Sequence, residues 1–282
     1  MSDIVNREFK NSVFIDLFSK RSYRMQLFRT LHPEMPDVTD DDLKTITLKQ
    51  VITNHQYNDM ALQVRDRLLI FVEAQSSWSV NILLRVLLYF ADTVQGYLHD
   101  HQMDIHSSGR LKIPVPEFYV IYTGKTKVSD IVSLKKDFFQ SEGCGVDLEA
   151  RVITAETDDI IGQYIIFSHV MDDQVRKYGR SRKAAEETIR ICRNRNVLVE
   201  YLNEREKEVI DIMITLFDQE YAMEQYGKAQ QEEGRVIEAI DIYRYEMKMS
   251  DEAIITKIMK KFSLSLDEAK SYVCADSVRA AR

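Results

Sequence analysis

The run Leu68-Leu69-Ile70-Phe71-Val72-Glu73-Ala74-Gln75 constrains this chain most. Its branched and aromatic residues read as a central strand. A helical stretch from about Ser79 to Leu98 follows at once. Its most apolar part, Val80–Ala91, is interrupted by Arg85 and is too short to cross a membrane, so it reads as a buried helix. Pro114-Val115-Pro116 then leads into a second apolar strand, Glu117–Thr123, which Gly124 ends. Strand, helix and strand in this order require a sheet covered by helices, a mixed α/β layer.

The flanking segments fill in that frame. Phe9, Val13, Phe14, Leu17 and Phe18 recur at helical spacing and predict one helix from about Asn6 to His32, broken by His32-Pro33-Glu34-Met35-Pro36. A short helix is expected near Asp40–Lys44 with Thr39 as its N-cap. Ile46–Ile52 and Tyr57–Val64 read as two further strands, and Arg65-Asp66-Arg67 as the turn joining the second of them to the central strand. Residues 150–155 read as an added edge strand.

From Thr157 onward only helix is expected. Nine Gly and four Pro in 282 residues leave few breaks. Helices fit Ile160–Tyr178, Arg182–Asn194, Val197–Tyr221, Glu238–Lys248 and Asp251–Lys261. A last short helix follows Ser265-Leu266-Asp267-Glu268, which has capping-box spacing. Ala222–Gly234 reads as linker or exposed helix. The domains are set at 1–175 and 176–282, the second all-α.

Composition excludes some classes. With 45 % hydrophobic and 29 % charged residues the chain is globular, not disordered. A formal charge of −7 argues against a basic surface that binds nucleic acid everywhere, though not against a local patch. Cys144, Cys192 and Cys274 are odd in number and widely spaced, which fits neither a disulfide framework nor a zinc knuckle. The opening Met-Ser-Asp-Ile-Val-Asn-Arg has no apolar signal region, so a reducing, cytoplasmic setting is expected.

The chemistry concentrates around the hairpin. Glu73 and Gln75 differ by two and share a face of the strand. A turn centred on Asp66 would set Asp59 directly opposite Glu73, with Cβ atoms about 5 Å apart. Facing carboxylates repel unless a cation lies between them, and two carboxylates with water and phosphate oxygens suit Mg²⁺. The residues leave a second reading open, in which both acids are solvated. On the following helix Asn81, Arg85 and Tyr89 fall four apart on one stripe. Arg85 there needs an anion, either Glu73 or an entering phosphate, or else carries its head out to water.

Tyr57-Asn58-Asp59, Leu69–Trp78, Arg85–Tyr89, the strand Pro116–Gly124 and Lys177-Tyr178-Gly179 with its basic helix resemble the PD-(D/E)XK nucleases. More closely, they resemble the PD-(D/E)XK nuclease family transposases, or Rpn-type recombination-promoting nucleases, over roughly residues 1–220. The resemblance implies a restriction-endonuclease-like α-β-β-β-α-β core and Mg²⁺-dependent (or Mn²⁺-dependent) hydrolysis of DNA phosphodiesters. It makes Asp59 and Glu73 the metal-holding acids, with the Ala74 carbonyl as a further ligand. Glu8 corresponds to the extra acid that some members place on the first helix. Gln75 stands where most of the superfamily has Lys, as in the subgroup resembled, and would orient the attacking water without taking its proton. Arg85 and Tyr89 fall where related nucleases carry Gln-x-x-x-Tyr, and Arg85 would contact a phosphate. Double-strand cutting would favour a homodimer. A non-catalytic nuclease-fold protein that binds DNA or another protein is the alternative, and RNA as substrate is a third.

Two other features stand outside the hairpin. Arg176, Lys177, Arg180, Arg182, Lys183, Arg190, Arg193 and Arg195 face only Glu186 and Glu187 within 176–195. This tract, with Arg180, Arg182 and Lys183 at its centre, fits a DNA backbone or a solvated helix face with Glu186–Arg190 pairing. His99, His101 and His106 fall in a polar stretch and fit a solvated loop better than a metal cluster. The helix pair over 251–275 is open to a helix-turn-helix or a packing role.

Overall fold

The apolar run forms the middle of a mixed sheet. The computed structural model describes residues 12–46, 59–74 and 78–280; Glu8, most of the Ile46–Ile52 strand, Tyr57, Asn58 and Gln75 lie outside them. Two helices come first, α1 (Val13–Ser19) and α2 (Arg21–Leu31), in place of the single helix expected. Lys20 between them is extended (ψ 136°), a break that no Gly or Pro marks. It lets Phe14, Leu17 and Phe18 on one side and Tyr23, Leu27 and Phe28 on the other enter the same core. Asp40–Asp42 form a single 3₁₀ turn, with the Thr39 backbone and hydroxyl both held by Asp42.

The strands are β1 (Leu43–Ile46), β2 (Met60–Val64), β3 (Arg67–Ala74), β4 (Val115–Tyr122), β5 (Ile131–Ser133) and β6 (Glu149–Ile153), in the order β1-β2-β3-β4-β6-β5. β1, β2 and β3 form an antiparallel meander. Helix α3 (Ile82–Asp100) then carries the chain to β4, which lies parallel to β3, and β6 lies parallel to β4. β6 is thus interior and not the expected edge: the three-residue β5 pairs along its outer side.

The hairpin differs from the expected turn. Val64 pairs with Arg67 and Met60 with Phe71, so the turn is Arg65-Asp66 alone. Arg65 takes a positive φ of 51°, a conformation that costs a non-glycine residue about 1 kcal/mol. Its guanidinium is held at 2.8 Å by Asp37 and at 3.3 Å by Asp42. One step further out, this register sets position 59 against Val72 and not Glu73.

Apolar side chains alternate between two cores. Leu62, Leu69, Phe71, Tyr119 and Ile121 face the first, with α1, α2 and the helices α4 (Ile160–Tyr178), α5 (Arg182–Asn194), α6 (Val199–Glu204) and the start of α7 (Glu206–Asp241). Ala61, Leu68, Ile70, Val72, Val120 and Tyr122 face the second, with Leu83, Val86 and Tyr89 of α3. The first compact unit therefore runs on past 175 to Phe217, because Ile189, Cys192, Tyr201 and Met213 complete its core. Asp16 of α1 fastens this helical layer, accepting from the Tyr201 hydroxyl (2.8 Å) and twice from Arg205 (2.9 Å).

The second unit, 218–282, contains the rest of α7, α8 (Asp251–Phe262) and α9 (Leu266–Ala280) around Ile240, Ile254, Ile258 and Val273. Residues 222–234 are helical, and 225–232 are exposed. Ser265 and Glu268 form the expected capping box.

At the amino end of β4 lies a buried polar cluster. Glu117 accepts from the Tyr119 hydroxyl (2.6 Å), lies 3.0 Å from His32 Nε2 and pairs with Arg67. Burial opposes ionisation of Glu117, but the Tyr119 and Arg67 hydrogen bonds outweigh it and hold its pKa below the ordinary 4.5. Among the described residues no helix is long and apolar enough to cross a membrane.

Candidate active site

The carboxyl ends of the parallel strands β3, β4 and β6 come out at one edge of the sheet, where open α/β sheets place their ligands. β2 runs the other way, so Asp59, just before it, arrives at this same edge. Glu73 and Ala74 are the last two residues of β3, in register with Ile121 and Tyr122. The structure brings the two positions to adjacent strand ends but not face to face: position 59 lies against Val72, on the α3 side of the sheet, and strand alternation gives position 73 the other side.

Asp59 is deeply buried, its side chain 2 % exposed. Arg85, on the first turns of α3, reaches it with Nη2 2.8 Å from Oδ1. Asp59 is thus an anionic partner of Arg85 that the sequence analysis did not name. A carboxylate removed from water needs such a cation. Tyr89, one turn on from Arg85, is 4 % exposed and packs in the second core.

Three segments that sequence reasoning did not join meet beside this pair of strand ends. Thr123 follows β4, Glu156 follows β6, and His169 lies on α4. His169 Nε2 is 2.8 Å from the Thr123 carbonyl, and Nδ1 is hydrogen-bonded to Glu156. The ring thus ties the end of β4 to the end of β6. Asp172, three residues further along α4, has its carboxyl pKa raised by burial, with Arg176 and His169 drawing it back. No local pattern in the sequence marks these residues; only the sheet order assembles them.

Two close approaches shape the edge. A Cβ on Gly124 would overlap the ring and hydroxyl of buried Tyr122. A Cβ on Gly162, in the first turn of α4, would overlap Thr157. The Asp159 carboxylate caps that turn through the Ile161 and Gly162 N–H groups at 2.9 and 3.1 Å.

No family model, curated protein or solved structure matches the chain.

The basic tract divides in two. Arg190 pairs with Glu187 (2.8 Å) instead of Glu186, and Arg193 with Glu206 (2.9 Å). Arg176 pairs with Asp173, and Arg182 lies 3.5 Å from Asp211. Acids outside the tract thus neutralise part of its charge. At the α4–α5 corner Lys177 and Lys183 lie 4.9 and 4.5 Å from the Tyr178 ring centre, beside exposed Arg180. His99, His101 and His106 are exposed, and the described residues contain no group of three metal-ligating side chains.

Proposed function

We propose that the protein is a Mg²⁺-dependent endodeoxyribonuclease of the PD-(D/E)XK kind, hydrolysing DNA phosphodiester bonds. The observation that carries this reading is the arrival of Asp59 and Glu73 at neighbouring strand ends, with Arg85 delivered to Asp59 by the next helix. The element order supports it: helices, an antiparallel three-strand meander, a helix and a strand parallel to the third. A link to recombination or transposition rests on the sequence resemblance alone.

Carboxylate and carbonyl oxygens are the donors that a hard cation takes. Asp59 offers a buried carboxylate, already 2.8 Å from the Arg85 cation. Asp59, Glu73 and the Ala74 carbonyl would hold Mg²⁺, with Mn²⁺ as a substitute. Bound there, the metal would supply a water of lowered pKa and offset charge on the phosphorane. Gln75 would orient the attacking water through its amide. Arg85 is 18 % exposed and has five N–H donors, enough to keep Asp59 and also meet a phosphate.

The buried Asp59–Arg85 pair favours a second reading, a nuclease-fold protein that binds DNA or another protein without cutting. Nicking of supercoiled plasmid with Mg²⁺ separates the two. Cleavage by wild type that is lost with EDTA and in Glu73→Ala supports the enzyme; equal cleavage by both proteins, or none by either, removes that assignment.

A further inference from the structure

The sequence gives the candidate site a neutral Gln75 where most of the superfamily has a lysine, so the cations that meet a substrate phosphate are Arg85 and residues from other segments at the same strand ends. Thr123-Gly124-Lys125-Thr126-Lys127 leaves β4 at this edge. Ile121 pairs with Glu73 and Tyr122 with Ala74, so the loop starts about 5 Å, one strand spacing, from the end of β3.

The loop is fixed from both faces of the sheet. On one face His169, itself tied to Glu156, holds the Thr123 carbonyl at 2.8 Å. On the other, Gly124 passes against the Tyr122 ring and Thr126 N–H donates to the Tyr122 hydroxyl at 3.3 Å. Tyr122 is itself 1 % exposed and meets Trp78 edge-on at 5.3 Å. Lys125 is exposed, next in sequence to the glycine that makes this path possible. The neighbouring acids Glu156 and Asp173 are occupied by His169 and Arg176. Asp172 is half-buried and feels the Lys125 charge. Among the described residues no carboxylate forms an ion pair with Lys125.

We propose that Lys125 is a phosphate-binding residue of the candidate site, with His169 as the positioning residue that fixes its loop. This rests on the nuclease reading for its substrate. A loop held on both faces of the sheet carries an exposed lysine out from the strand next to the one that ends in Glu73 and Ala74. Flexible surface lysines contribute to any polyanion binding. A lysine on a loop pinned at three points contributes with little entropy lost on binding.

The test is fluorescence anisotropy of the full chain with a labelled DNA duplex, in EDTA, across a salt series. Lys125→Ala should weaken binding about five- to tenfold near 0.1 M salt and lower the slope of log K against log salt by about 0.9, one phosphate contact. Lys125→Arg should keep the slope. His169→Gln should weaken binding in the same direction, and adding it to Lys125→Ala should cost nothing more. Circular dichroism of each variant confirms the fold. Unchanged affinity and slope in Lys125→Ala overturn the proposal, as does a wild type that binds no duplex. Independent, additive losses in the double variant overturn the role given to His169. A wild type that binds through Lys125 and cuts nothing with Mg²⁺ sinks the nuclease reading and leaves this one standing.

Discussion

Replacing Arg85 by Met should show how strongly Asp59 depends on a cation. The Asp59 side chain is 2 % exposed and that of Arg85 18 %, with 2.8 Å between them. Removing one member of a buried ion pair costs about 3–5 kcal/mol. Arg85 keeps some contact with water, so the lower end applies, about 3 kcal/mol. For a unit of this size about 2–4 °C is lost per kcal/mol, which predicts a fall in Tm of about 6–12 °C. Urea denaturation in EDTA gives the free energy and calorimetry the Tm. Asp59→Asn with Arg85→Met should recover most of the loss, because the carboxylate that Arg85 balanced is then neutral as well. A loss below about 1 kcal/mol in Arg85→Met would put the pair in the range of exposed salt bridges and refute the reasoning.

Other outcomes follow from particular contacts. Gly124→Ala forces a methyl onto the Tyr122 ring and should cost about 1–3 kcal/mol in urea denaturation. Glu117 has its pKa depressed below 4.5, so its contribution is present above pH 4.5 and is lost as pH falls through the folded-state value. Glu117→Gln should therefore remove part of the acid limb of the stability profile, as read by denaturation at successive pH values. Burial pushes the Cys192 thiol up to about 12, whereas Cys274 is exposed. A thiol reagent at neutral pH should label Cys274 in the native protein and reach Cys192 only on unfolding, as mass spectrometry of the labelled peptides would show.

How much of this was legible follows from where the signals lie. β3 and β4 announce themselves because a strand covered on both faces needs an apolar run. α3, α4, α5 and α8 announce themselves through helical periodicity and few breaks. The hairpin register was not legible. Arg65 adopts positive φ without being Gly or Asn, and what holds it is Asp37 and Asp42, more than twenty residues upstream. The break at Lys20 and the three-residue β5 lack a local signature for the same reason: packing, and not the local residues, decides them. At the site, Asp59, Glu73 and Arg85 stood out because charge inside an apolar pattern is conspicuous. His169, Glu156 and Thr123 did not, since three separate segments meet only when β4 and β6 align. The basic tract looked more charged in sequence than in space, because Asp173, Glu206 and Asp211 come back to it.

The central claim is that Asp59 and Glu73 together hold a divalent cation. Mn²⁺ binding followed by electron paramagnetic resonance tests it most directly, since free and bound Mn²⁺ give different signals. The account predicts saturable binding by the wild type, competition by Mg²⁺, and loss of that binding in Asp59→Asn and in Glu73→Gln. Binding that survives both substitutions, or a wild type that binds no Mn²⁺ at all, would contradict it.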